Sequence, residues 1–193
     1  MRSLIKIIIK LILFSPNINS NLDYYILEMF YHVDNTQLIF DERFNKPIDD
    51  IKFPDSIQSI TFGGLFDQLL DQVKFPDSLQ TITFGDCFNQ PLDQVKFPNS
   101  LQTITFGSNF NQSLDHIKFP NSLQNIIFGW YFDQSLDNLP NTILNLTFCK
   151  INRELTNLPI SLEKIILFTG YLKQSLTKIK KLPFGCVIIG QKN

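Results

Sequence analysis

Two histidines, His32 and His116, and three cysteines, Cys87, Cys149 and Cys186, are the strongest metal ligands and nucleophiles in the chain. A thiol nucleophile needs a neighbouring base, and a structural zinc site needs four such ligands at close spacing. None of the five is placed that way. The cysteines lack C-x-x-C spacing, and their odd number does not suit a disulfide framework, so reduced thiols are expected. Aspartates and lysines recur as Asp49/Lys52, Asp71/Lys74, Asp93/Lys96 and Asp115/Lys118. A column of carboxylates is calcium or acid–base chemistry only when ligands are dense, as in D-x-D-x-D-G, and here a lysine accompanies each one. Such pairs are expected on a solvated face, each contributing ~0–1 kcal/mol. No phosphate-cradling G-x-x-x-x-G-K or G-x-G-x-x-G occurs. The residues therefore point to no catalytic, cofactor-binding or metal-binding site, and a non-enzymatic protein is expected.

The elements that would carry any function follow from composition and period. Of 193 residues, 44% are hydrophobic and 18% charged, enough apolar material for a core and too little charge for a disordered chain. Phenylalanine occurs 19 times and alanine never, which disfavours a mainly helical protein. The net charge of −1 is uneven. Arg2, Lys6 and Lys10 bring +3, and six lysines after Glu163 bring +6, so the stretch 11–163 carries ten net negative charges. The lysines of the basic end are expected to keep a terminal sheet edge soluble.

Phe44, Phe66, Phe88, Phe110 and Phe132 are spaced by 22 residues. Aligned on them, four near-identical units begin at 44, 66, 88 and 110, and shortened units follow at 132, 151 and 172. Phe40, 22 residues before Phe62, belongs to a preceding half-unit. Within a unit, apolar residues fall at positions 1, 5, 8, 10, 14, 17 and 19. The L-x-x-I-x-F stretch at 14–19 alternates as a half-buried strand does. Proline at position 11 forces the strand to start after it, and glycine at position 20 ends it in a turn. One short strand per unit with this core is a leucine-rich-repeat signature, in which stacked neighbours bury one continuous core. Phenylalanines at positions 1, 10 and 19 are expected to face inward rather than form a nucleic-acid stacking platform.

The openings Phe44-Asn45-Lys46-Pro47 and Phe88-Asn89-Gln90-Pro91, with the later F-P-x-S-L-x-x-I-x-F stretch, resemble FNIP repeats over roughly residues 36–190. Position 3 departs from the family name, being Gln or Lys, and position 4 varies to Leu69, Ser113 and Ser135. The resemblance implies a leucine-rich-like solenoid of the kind found in amoebae and giant viruses, without assigned chemistry. Some relatives carry an N-terminal F-box, which implies an alternative role as a ubiquitin-ligase substrate adaptor through a reduced F-box-like N-terminus.

Residues 1–14 carry Arg2, Lys6 and Lys10 on one helical stripe beside apolar residues, a weak membrane-surface pattern broken by Lys10 and too short to span a bilayer. Leu22, Tyr25, Ile26, Met29, Phe30 and Val33 fall at helical spacing, so an amphipathic helix over 22–33 is expected to cap the solenoid. The expected organisation is a helical segment and cap in residues 1–35 and a solenoid in 36–193. About eight parallel strands at ~4.8 Å each would give a stack roughly 35–40 Å long. Positions 15, 16 and 18 face away from the core. They nominate Gln80, Thr81, Thr83, Gln102, Thr103, Thr105, Gln124, Asn125 and Ile127, joined by Trp130 and Tyr131 where the pattern breaks, as a partner-binding surface. The expectation is a cytoplasmic monomer (in the host-cell cytoplasm if viral) that binds a protein and needs no cofactor or nucleic acid.

Overall fold

The structure is a computed structural model that describes residues 30–33 and 36–192. Its described strands form a single nine-stranded sheet in sequence order. They are β1 (Phe30–Val33), β2 (Gln37–Phe40), β3 (Ser59–Thr61), β4 (Thr81–Thr83), β5 (Thr103–Thr105), β6 (Asn125–Phe128), β7 (Asn145–Phe148), β8 (Lys164–Phe168) and β9 (Val187–Gln191). From β2 to β9 every pairing is parallel, so the eight parallel strands are present. The register follows the repeat: Leu38, Ile60, Ile82, Ile104, Ile126, Leu146, Ile165 and Ile188 lie side by side.

Each full unit is a coil with one strand and three tight corners. In the unit starting at Phe66, Val73 N–H donates to Leu70 O at 3.1 Å and Leu79 N–H to Pro76 O at 3.0 Å. The third corner closes where Phe88 N–H donates to Gly85 O at 3.2 Å. Proline therefore opens the corner that precedes the strand, a position where its missing N–H removes no ladder bond.

The Phe residues on either side of the glycine corner stack on each other and on their copies in the next unit. Phe106 and Phe110 ring centroids are 3.9 Å apart, and Phe84 lies 5.7 Å from Phe106. These columns are buried, each ring contributing roughly 1.5–3 kcal/mol. The position-10 column is different. Phe53, Phe97 and Phe119 are half-buried at the margin of the core, and only Phe75 is closed in. The column stops at Phe119 because the units from 132 onward lack that residue.

Side chains lace the units together. Asn89 Oδ1 accepts from Asn111 N–H at 2.8 Å, and Asn45, Asp67 and Asn111 do the same one unit on. Ser78, Ser100, Ser122 and Ser161 each donate a hydroxyl to the position-14 carbonyl of the preceding unit. These bonds satisfy backbone groups at corners that the sheet ladder cannot reach.

The N-terminal expectation needs correction. Residues 30–33, the end of the expected helix, are β1, an antiparallel strand on the edge of β2 with a bulge between Phe30 and His32. Backbone pairing along the open edge of β2 outweighs the local helical period. The helical cap is therefore not what covers β2, and residues 1–29, with the anchor and F-box-like readings, lie outside the described residues. Past β8, a 3₁₀ turn (Thr169–Tyr171) leads into α1 (Leu172–Leu176), the described α-helix of the last unit. Among the described residues no helix is long and apolar enough to cross a membrane.

Candidate binding surface

Alternation along the three-residue strands decides which side chains leave the core. In β4 and β5 the central isoleucine is fully buried while the flanking threonines are half-exposed. Thr81, Thr83, Thr103 and Thr105 thus stand in two parallel rows, with Gln80, Gln102 and Gln124 exposed alongside. The expected surface residues of β4 to β6 are brought together on one face, and their rows continue through β7 to β9.

Asn125 and Ile127 extend the rows in β6. Asn125 is fixed in place: its Nδ2 donates to Thr103 Oγ1 at 3.2 Å, and its Oδ1 accepts from Asn145 Nδ2 at 2.7 Å. Beyond it isoleucines enter the position-18 row, while the position-16 row stays polar through Asn145 and Lys164 until Val187. The position-18 row reads Thr105, Ile127, Thr147, Ile166 and Ile189 across consecutive strands. Ile189 is 42% exposed and Val187, at the end of the neighbouring row, 50%. Val187 and Ile189 were absent from the sequence-based surface. The signal for them was present, since V-I-I-G alternates with Ile188 inward, but the degenerate last unit hid its register.

Trp130 and Tyr131 sit off this face, on the corner after β6. Trp130 packs edge-on against Tyr171 with centroids 5.3 Å apart. Asn152 Nδ2 donates to the carbonyls of Trp130 and Phe132 at 2.8 and 3.1 Å. Trp130 therefore closes the junction where units shorten, while Tyr131 is 66% exposed beside it. The structure separates these two from the strand residues.

Among the described residues no cluster of three or more His, Cys, Asp or Glu side chains is close enough to hold a metal. Cys87, Cys149 and Cys186 are free thiols. Burial pushes the Cys149 thiol up from its ordinary value, with the Asp86 carboxylate adding to it, and burial raises Cys186. Both shifts disfavour thiolate.

The profile of the FNIP Repeat matches residues 36–65, 44–87, 66–109, 88–129 and 110–150, each full window covering two units. No curated protein matches the sequence. Among solved structures, the chain is similar to CroV588, described as a novel circular LRR protein structure, with 35% identity and a TM-score of 0.67. That match covers 81% of this chain and 24% of CroV588, so the chain spans about a quarter of its relative's length. With its profile matched over more than half its length, its 22-residue register and its parallel coil, the chain belongs to the FNIP repeat family.

Proposed function

We propose that the protein is a non-enzymatic scaffold that binds a protein partner through the outward face of its sheet, with Gln80, Thr81, Thr83, Gln102, Thr103, Thr105, Gln124, Asn125 and Ile127 at its centre. The observation that carries this reading is the gradient along that face. Rows of Gln and Thr, set at strand spacing, pass into a mixed stretch in which Ile127, Ile166 and the exposed Ile189 and Val187 stand among Asn145, Thr147 and the exposed Lys164. A rigid surface with polar rows beside an apolar strip offers hydrogen bonds for register and apolar area for affinity. Strand pairing fixes the backbone of this face, and the Thr103–Asn125–Asn145 chain holds Asn125, so that side chain loses little freedom on binding.

The test places a photo-crosslinking residue at Gln102 or Ile127, and as a comparison at the exposed Lys96 of the position-9 column, in source-cell extract. The reading predicts one discrete protein adduct from the two face positions and none from Lys96. Adducts from Lys96 alone would contradict it. Trp130 is left intact, since its packing on Tyr171 makes its loss a structural change.

A further inference from the structure

Below the Trp130–Tyr171 contact, the corner at 150–152 and the segment 173–178 enclose an open cleft of about 520 Å³. Lys150, Lys173 and Lys178 line it, with Gln174 and Thr177, over a floor that includes the buried Ile151. No acid lines it. The nearby Glu154 is engaged by Lys180 Nζ at 3.0 Å, whereas Lys150, Lys173 and Lys178 make no ion pair among the described residues.

The walls are fixed from behind. Ser175, 1% exposed, accepts the Ile151 N–H on its hydroxyl at 3.2 Å, tying α1 to the first wall. Leu155 N–H donates to Lys178 O at 2.9 Å and Lys180 N–H to Leu155 O at 3.0 Å, tying the segment after α1 at the other end. Lys150 Nζ also lies 5.8 Å from the Tyr171 ring centroid. Three lysines thus line one concave, braced site in which no acid offsets them, giving it a positive field that attracts an anion.

We propose that this cleft is an anion site for a phosphate-bearing ligand. Ammonium groups on flexible stems neutralise a compact dianion as point charges, and the Gln174 amide adds a donor. The site lies off the sheet face, so it stands or falls separately from the scaffold reading.

The test is calorimetric titration of the full chain with inorganic pyrophosphate at about 50 and about 200 mM salt. The proposal predicts saturable one-to-one binding that weakens with salt. The triple variant Lys150→Gln, Lys173→Gln, Lys178→Gln should bind about tenfold more weakly, as loss of three exposed charge contacts implies. The control Lys52→Gln, Lys74→Gln, Lys96→Gln makes the same change in net charge and should bind like the unaltered protein. Should the triple variant misfold, Lys178→Gln alone must weaken binding and Lys178→Arg must restore it. Phosphoserine and a neutral peptide carrying one phosphoserine distinguish the sources. Equal affinity assigns a free phosphate ester and tighter peptide binding a partner segment, and either supports the site. Absence of saturable binding, equal loss in the control, or binding to anionic vesicles without binding to phosphoserine would overturn it.

Discussion

Glycine at position 20 shows how single residues are constrained by stacking. Its φ is not in the left-handed region; among the described residues only Gly185, at φ 79°, is. The constraint is close approach, because a Cβ built at Gly85 or Gly107 would strike the carbonyl oxygen of the glycine one unit before. Gly107→Ala should therefore cost about 1–3 kcal/mol, an overpacking penalty readable in urea unfolding. Asn89 works in the opposite sense, by supplying an acceptor. Its Oδ1 takes the Asn111 N–H and the Gln112 amide at 2.8 and 3.2 Å, so Asn89→Ala should lose about 1–2 kcal/mol in the same assay. The thiols give a pH dependence. Cys149 and Cys186 titrate above their ordinary value of 9.0 in the folded chain, so their contribution is complete below that value. It is lost as pH rises from there through the raised folded values. Stability should fall across that alkaline window, and Cys149→Ser, Cys186→Ser should flatten the fall. An unchanged slope in the double variant would refute the assignment.

At the scale of elements, the unit at 132 is where the pattern is stressed. It has lost the residues at positions 9 and 10, and the position-13 hydroxyl there belongs to Thr142 rather than Ser. Ser78, Ser100, Ser122 and Ser161 all donate to the preceding unit, but the buried Thr142 Oγ1 has no partner among the described residues. Desolvating an unpaired hydroxyl is unfavourable, so Thr142→Val should be neutral or stabilising by up to about 1 kcal/mol, whereas Ser100→Ala should be destabilising. Thermal melts of both variants check the contrast. The same shortening explains Trp130, whose ring meets Tyr171 across the altered corners. Strands β2 to β8 were legible because inward residues repeat at fixed spacing. β1 was not, because Leu22 to Val33 fit a helical period and the open edge of β2 is invisible in a local pattern. The cleft was hidden for a related reason. Lys150 and Lys173 are 23 residues apart, and only the stacking of the shortened units sets them side by side.

Over its described residues the molecule is a nearly one-dimensional object, each coil contacting its neighbours through a shared ladder and stacked rings. That organisation made the polar rows of the candidate surface readable from positions 15, 16 and 18. The apolar end at Val187 and Ile189 depends on the register of a degenerate unit that lacks the Phe markers. It also makes interior units interchangeable. Residues 66–87 present to residues 88–109 the same Asp67 carboxylate acceptor, Leu79 carbonyl acceptor and Phe pair that they would present to the unit at 110. Excision of residues 88–109 joins two compatible units, whereas excision of residues 88–98 leaves half a coil and no register. Urea unfolding of the two deletions, followed by far-ultraviolet circular dichroism, is the most direct measurement. The account predicts cooperative unfolding for the full-unit deletion with an m-value lower by roughly one part in eight, and no folded baseline for the half-unit deletion. A full-unit deletion that fails to fold, or a half-unit deletion that folds equally well, would contradict it.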